Sequence, residues 1–308
     1  MEDTREAINS KPFRAGYVAI IGEPNVGKST LMNTLIGQKI SIVTHKPQTT
    51  RHKIIGILSG ENYQVVFLDT PGLLQPKYLL HESMMNVAKS AITDADIVLF
   101  MIDCTNAVKE ADTSEHDYAL NKLRGLNKPV YLIINKTDLV KKNDIAVIIA
   151  THSKKLSFKE VFPISALNTT GTEELLKFVV ADLPEHAAFY PSDMLSEHSE
   201  RFFVSEIIRE KIFEKFREEI PYSTAVEIVD FKEQPGKKDV IEAEIILERE
   251  SQKGILIGKN GAALKEIGEL ARKDIEIFLL RPVFLTLHVK VREKWRQKKD
   301  WLKRFGYN

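Results

Sequence analysis

Gly22, Glu23, Pro24, Asn25, Val26, Gly27, Lys28 and Ser29 fit the spacing G-x-x-x-x-G-K-[ST]. The chemistry this pattern serves is the cradling of a phosphate chain. Glycines let the backbone wrap tightly, so that main-chain N–H groups converge on an anion. Lys28 places an ammonium group between the β- and γ-phosphates, and the Ser29 hydroxyl offers an oxygen to Mg²⁺, with Thr30 closing the contact stretch. A glycine turn with a solvated lysine could share the string. The context argues against that: an apolar run, Tyr17–Ile21, precedes the loop, and helical spacing follows from Lys28 to Ile36. The positive end of that helix faces the same phosphate oxygens.

Three further strings complete a nucleotide site. Asp69, Thr70, Pro71 and Gly72 follow the apolar run Val65–Leu68. Asp69 is expected to hold Mg²⁺ through water, and the Gly72 N–H to meet a γ-phosphate. Asn135, Lys136, Thr137 and Asp138 follow Val130–Ile134. An ionised Asp138 only accepts hydrogen bonds, so it can take the N1–H and 2-amino protons of guanine together. Adenine presents no such donor pair, which selects GTP and GDP. Lys136 would pack its stem on the base. Ser165, Ala166 and Leu167 follow Val161–Ile164, with the Ala166 N–H expected at guanine O6. Each string alone is weak, but all four sit at strand ends, where an α/β sheet gathers its ligand loops.

The elements that position these loops can be read from periodicity. Short apolar runs, including Ile97–Ile102, alternate with helix-like stretches at His81–Ile92, Asp112–Leu123, Asp144–Lys155 and Thr172–Leu183. That rhythm predicts a mostly parallel sheet with helices on both faces, with His52–Leu58 as an antiparallel edge. The pattern stops near Pro184. Residues 184–199 are polar and carry two prolines, so they read as a linker. Beyond them the order is α-β-β-α-α-β: a helix Arg201–Phe216, strands Thr224–Phe231 and Val240–Leu247, a short helix, a glycine-flanked loop, a helix Ala262–Leu280 and a strand Val283–Val291. The division expected is an N-terminal tail at 1–14, a nucleotide-binding domain at 15–183, the linker, and an α+β domain with a basic tail at 200–308.

The second domain has its own candidate site. Gly258, Lys259, Asn260 and Gly261 form a G-x-x-G between two short helices. Such a loop lets a nucleic-acid backbone approach main-chain N–H groups and clamps about four nucleotides. Ile255, Ile257, Leu264 and Ile267 are expected to floor it. The formal net charge of +1 conceals an asymmetry: from Ser251 onward fourteen Lys/Arg face six Asp/Glu, leaving thirty against thirty-seven before it. A basic end suits a polyanion. Lys290, Arg292, Lys294, Arg296, Lys298, Lys299, Lys303 and Arg304 are expected to touch phosphates. Trp295 and Trp301 would either stack on bases or pin the tail to the domain.

Composition excludes several classes. No apolar run approaches the ~20 residues that span a bilayer. The start of the chain lacks the apolar core of a secretory signal. With one cysteine there is no internal disulfide and no cysteine-based metal site, and Cys104 reads as a small core residue in a reducing compartment.

The strings GEPNVGKST, DTPG, NKTD and SAL resemble the Ras-like P-loop GTPase domain of the translation-factor-related class. Lys46 to Arg51, KPQTTR, resembles the first switch of its Era and EngA-like branch. In that resemblance Thr50 closes on Mg²⁺, with Thr49 as the alternative. Leu73 stands where Ras-like proteins carry a water-orienting glutamine, which implies slow hydrolysis without help. An asparagine at the position of Asn25 binds K⁺ in potassium-activated relatives, so K⁺ stimulation is an expectation. A Ras-like domain followed by a type II KH domain resembles the Era family. That resemblance implies a monomeric GTPase binding the 3′ end of 16S rRNA during 16S rRNA processing and 30S subunit assembly. It also implies a cytoplasmic protein with peripheral association at the cytoplasmic side of the cell membrane. Two other readings compete: an RNA-modifying enzyme with a GTPase motor, which needs catalytic groups the second domain lacks, and a membrane signalling GTPase with a lipid-facing basic tail.

Overall fold

Strand β4 (Ile97–Asp103) is buried at every residue. A strand apolar on both faces must lie inside a sheet covered by helices on each side, and the rest of the first half supplies that cover. The structure, a computed structural model, describes residues 12–107 and 114–307, with side chains at 114–117 excepted. The first eleven residues of the expected tail, and the first two of the helix expected from Asp112, lie outside the described residues.

Strands β1 (Arg14–Gly22), β2 (Ile54–Gly60) and β3 (Tyr63–Asp69) join β4, β5 (Val130–Asn135) and β6 (Glu160–Pro163) in the order β2-β3-β1-β4-β5-β6. Only the β2–β3 pairing is antiparallel. Helices α1 (Lys28–Ile36), α2 (Leu79–Asp94), α3 (Cys104–Ala107), α4 (Ser114–Leu123), α5 (Lys142–Lys155) and α6 (Thr172–Asp182) alternate with the strands. Alternate residues of each strand feed two separate cores. Ala19, Ile21, Val98, Phe100 and Leu132 pack on the α2 face, and Val18, Ile20, Leu99, Tyr131 and Ile133 on the face of α1 and α6.

Residues 184–199 have no regular structure, yet they are firmly bonded. The Ile57 N–H donates to the Leu195 carbonyl at 2.8 Å. Buried Gln64 accepts from the N–H groups of Phe189 and Tyr190 at 2.7 and 2.9 Å. The connector is a strap across the β2–β3 side of the sheet.

The second half comprises α7 (Glu200–Lys215), α8 (Glu219–Ser223), β7 (Ala225–Lys232), β8 (Asp239–Leu247), α9 (Glu250–Ile257), α10 (Ala262–Leu279), β9 (Val283–Val291) and α11 (Lys299–Arg304). The strands form a mixed sheet, with β8 antiparallel to β7 and parallel to β9. Its core joins Ile241, Ala243 and Ile245 to Ile208, Ile267 and Ile275. Sequence reading missed α3, α8 and α11, which have four, five and six residues, because so few turns carry no period. The fold class is the one expected: a mostly parallel α/β domain followed by an α+β domain.

Candidate functional site

The phosphate loop runs from the end of β1 into α1. At Gly27 φ is +105°, and a Cβ there would stand 2.3 Å from Asn135 Nδ2. Only glycine meets both conditions. A cleft of about 460 Å³ opens over the strand ends and is lined by Asn25, Lys28, Ser29, Thr50, Asp138 and Leu167, among others. The four predicted strings therefore converge on one site, with Glu23, Val26 and Thr30 in the same loop. Lys28 is buried, and its Nζ donates to the carbonyls of Gly22 and Glu23 at 3.2 and 2.8 Å. Burial lowers its pKa to about 8, against the pull of Asp69 and Glu23.

Three oxygens meet beside it. Ser29 Oγ lies 3.0 Å from Thr50 Oγ1 and donates to Asp69 Oδ2 at 2.6 Å. Asp69 Oδ1 is buried and has no partner among the described residues. Burial raises the Asp69 pKa, so the carboxylate calls for a cation. Two hydroxyls and one carboxylate form the hard-oxygen set that Mg²⁺ takes, and the residues fit that ion. Of the two threonines, Thr50 stands at this point. Thr49 instead closes its own loop, bonding Thr44 Oγ1 at 2.6 Å and the Lys46 carbonyl at 2.8 Å.

Thr70 and Pro71 are buried, with Thr70 Oγ1 donating to the Ile20 carbonyl at 2.9 Å. Gly72 fits against Pro24, whose nitrogen would stand 2.6 Å from a Cβ there. The Leu73 N–H donates to the Gly22 carbonyl at 2.9 Å, and its side chain packs in the core. Leu73 is thus a packing residue, and no side chain at that position reaches toward water in the cleft. Asn25 is exposed, has φ +64° and donates to the His45 carbonyl at 2.9 Å.

At the base end the expected guanine contacts bond to one another and to the phosphate loop. The Ala166 N–H, expected at guanine O6, donates to Asn135 Oδ1 at 2.9 Å, while Asn135 Nδ2 donates to the Val26 carbonyl at 2.7 Å. Buried Asn135, predicted as a guanine contact, braces the phosphate loop against the Ser165–Leu167 loop. Lys136, in a left-handed conformation, pairs with Asp103 at 2.5 Å. The Thr137 N–H donates to the Ile164 carbonyl at 3.2 Å, which sets exposed Asp138 at the cleft mouth. Ser165 is buried and Leu167 is exposed in the cleft wall.

The first switch is held by the second domain, which no local signal foretold. Arg51, 1% exposed, donates to the carbonyls of Thr224, Pro221 and Tyr222 at 2.7, 2.9 and 3.0 Å. Lys46 Nζ bonds the carbonyls of Phe213 and Phe216 around the C-terminal end of α7, where helix carbonyls lack partners. Glu210 accepts from Lys39 and from the Val43 N–H at 2.6 and 3.0 Å. An arginine in a loop reads as solvated until the far carbonyls are known.

The second site is a groove beside the Gly258–Gly261 loop. Gly258 and Gly261 have φ +72° and +77°, and Asn260 is also left-handed at +53°. Lys259 and Asn260 are exposed. The groove lies between α10 and β9, lined by Gly261, Leu264, Lys265, Arg272, Leu285 and Leu287, among others. Three expected floor residues drop out, since Ile267 is in the core and Ile255 and Ile257 are not among the lining residues. Sequence reading missed Leu285 and Leu287, whose alternation along β9 was the available signal. The basic tail is partly spent within the fold. Arg296 pairs with Glu248 and lies over the Tyr78 ring, Lys290 pairs with Glu244, and Arg304 pairs with Glu227. Trp295 is fully buried, with Nε1 donating to the Ser223 carbonyl at 2.8 Å, so it pins the tail. Trp301 lies against Arg292 and Arg304.

Ligand loops set this way over a parallel sheet, followed by a mixed sheet bearing a G-x-x-G groove, make this a P-loop GTPase joined to a KH domain. The family described as 50S ribosome-binding GTPase matches residues 17–136, and the KH domain family matches 219–296. The chain is 43% identical over 295 residues to GTPase Era of Clostridium botulinum, covering 96% of this chain and 99% of that protein. It is 47% identical over 295 residues to chloroplastic GTPase ERA1 of Zea mays, covering 96% and 70%. Among solved structures, Aquifex aeolicus Era Y63A bound to GDP.AlF4⁻ superposes with a TM-score of 0.91 at 41% identity, covering 96% of this chain and 99% of that one. Era in complex with MgGDPNP and nucleotides 1506–1542 of 16S ribosomal RNA superposes equally well, at 42% identity and the same coverage. The chain belongs to the Era GTPase family, and it hydrolyses GTP.

Proposed function

We propose that this chain binds GTP and GDP with Mg²⁺, hydrolyses GTP slowly when alone, and holds the 3′ end of 16S rRNA in the groove beside Gly258–Gly261. In this reading it serves 16S rRNA processing and assembly of the 30S subunit. The observation that carries the nucleotide half is the meeting of Ser29, Thr50 and buried Asp69 with one carboxylate oxygen left over. The RNA half is supported by the groove and by the related Era that holds a 16S rRNA fragment.

The residues divide the work. Main-chain N–H groups of the phosphate loop and the start of α1 bind the phosphates. Lys28 exchanges its bonds to the Gly22 and Glu23 carbonyls for phosphate oxygens. Ser29, Thr50 and Asp69 would hold Mg²⁺, which neutralises charge on the phosphates when bound. Asp138 accepts from N1–H and the 2-amino group of guanine, Lys136 lays its stem on the base, and Leu167 borders it. The core-packed Leu73 side chain does not take the water-orienting role, so in this reading water is placed by main-chain groups or by a partner, and bound RNA is the first candidate.

The proposal extends to K⁺ stimulation through Asn25, to a monomeric state, and to a cytoplasmic location with peripheral contact at the inner membrane face. Equal turnover in K⁺ and Na⁺ buffers refutes the K⁺ part. Among the described residues no helix is long and apolar enough to cross a membrane, and the contact proposed is a peripheral one through the basic tail. The deciding experiment is retention of a 16S rRNA 3′-end oligonucleotide at moderate salt, with GTP and with GDP. Selective retention supports the reading. Binding that ignores sequence and vanishes with salt refutes it, because pure charge attraction is screened.

A further inference from the structure

We propose that Ser41 is a positioning residue for the carboxylate that carries Mg²⁺. This rests on the reading of Ser29, Thr50 and Asp69 as the ion's site. Ser41 lies outside all four nucleotide motifs, on the segment between α1 and the first switch. It is 1% exposed, and its Oγ donates to Asp69 Oδ2 at 2.8 Å. Ser29 Oγ donates to the same oxygen at 2.6 Å. The two serines differ in what else they must do. Ser29 has to turn a lone pair to the ion, whereas Ser41 has no other task and can hold Oδ2 throughout.

Ser41 is itself fixed. Its N–H donates to Asn33 Oδ1 at 2.9 Å, and its carbonyl accepts from Asn33 Nδ2 at 2.8 Å. Asn33 Oδ1 also takes the Ile40 N–H at 3.0 Å. Asn33 stands on α1, the helix that begins with Lys28 and Ser29. One rigid element therefore carries both the ion's hydroxyl ligand and the clamp that aims the carboxylate. With Oδ2 occupied by two donors, Oδ1 is the oxygen left for the ion's water. Without Ser41 the carboxylate keeps only the Ser29 hydroxyl on Oδ2, a donor that also serves the ion, so the oxygen presented to the ion is less firmly fixed. Groups that orient a ligand in this way change metal affinity by about 10–100-fold when removed.

The test is the release rate of a fluorescent GDP analogue from the full chain as Mg²⁺ is varied, with release in EDTA as the reference. For Ser41→Ala the Mg²⁺ concentration giving half the slowing should rise about tenfold. Release in EDTA should match that of the unaltered chain, while the melting temperature without nucleotide falls modestly, as the loss of one buried hydrogen bond requires. An unchanged Mg²⁺ midpoint overturns the proposal. So does an equal change with and without Mg²⁺, since that is the mark of a merely structural serine. If release from the unaltered chain ignores Mg²⁺, the assignment of the ion's site fails, and this proposal fails with it.

Discussion

Replacing Arg51 by Met should loosen the junction between the two domains and lower stability by about 3 kcal/mol. Methionine keeps much of the stem's volume but removes the donors that serve three carbonyls at 2.7–3.0 Å. Removing one partner from a buried charged contact costs roughly 3–5 kcal/mol. The lower end applies here for two reasons. The partners are neutral carbonyls, and burial, with the nearby Arg209, already disfavours the Arg51 charge. At about 2–4 °C per kcal/mol for a chain near this size, the melting temperature should fall by roughly 6–12 °C. Differential scanning calorimetry is the assay, and it gives a second signature: loss of the clamp should split one transition into two as the halves melt apart. Arg51→Lys should fall between, because one ammonium cannot span three carbonyls. A Met variant melting within about 1 °C of the unaltered chain, in a single transition, would refute the claim that Arg51 ties the switch to the second domain; a clamp worth even 1 kcal/mol would move the melt further than that.

Asp138→Asn should weaken guanine nucleotides and improve xanthine nucleotides, because an amide can donate to the 2-oxo group; competition binding with GDP and XDP checks it, and an unchanged preference refutes the base assignment. Gly261→Asp should abolish RNA retention while GTP turnover without RNA stays intact. A Cβ at Gly261 meets nothing within 4 Å, and the left-handed backbone at φ +77° adds a strain of about 1 kcal/mol, which Asp tolerates better than most residues, so the fold should survive and the added charge should act on the phosphates. Acid should also act on the domain junction. Burial lowers the pKa of His81 and of His52 to about 4 each, from 6.5. The unfolded chain therefore binds more protons between those values, and stability should drop as pH falls from 6.5 toward 4. Urea midpoints at several pH values test this, and His81→Gln should flatten part of the slope.

What was legible in the sequence was the part that chemistry fixes locally. A phosphate cradle needs its glycines, lysine and serine within eight residues, so Gly22–Ser29 announced itself. Strand β4, apolar from Ile97 to Ile102, could only be an interior strand. What stayed hidden depended on partners far along the chain. Asn135 sits in a base-binding string, and its bonds to Val26 and Ala166 reach 109 and 31 positions away. Arg51 finds its carbonyls about 170 residues on. Trp295 could be settled as an anchor only when the Ser223 carbonyl was seen beneath it. Periodicity reports which face is buried and says nothing of what covers it.

The amide of Asn135 also acts as a ruler. One planar group of fixed length spans the loop that receives phosphate and the loop that borders the base, so the two ends of the cleft cannot drift apart independently. A ligand that matches one end but not the other gains little, because the protein does not stretch to meet it. Shortening the ruler should therefore weaken GDP and GTP by similar factors while leaving the choice of guanine, which Asp138 makes, untouched.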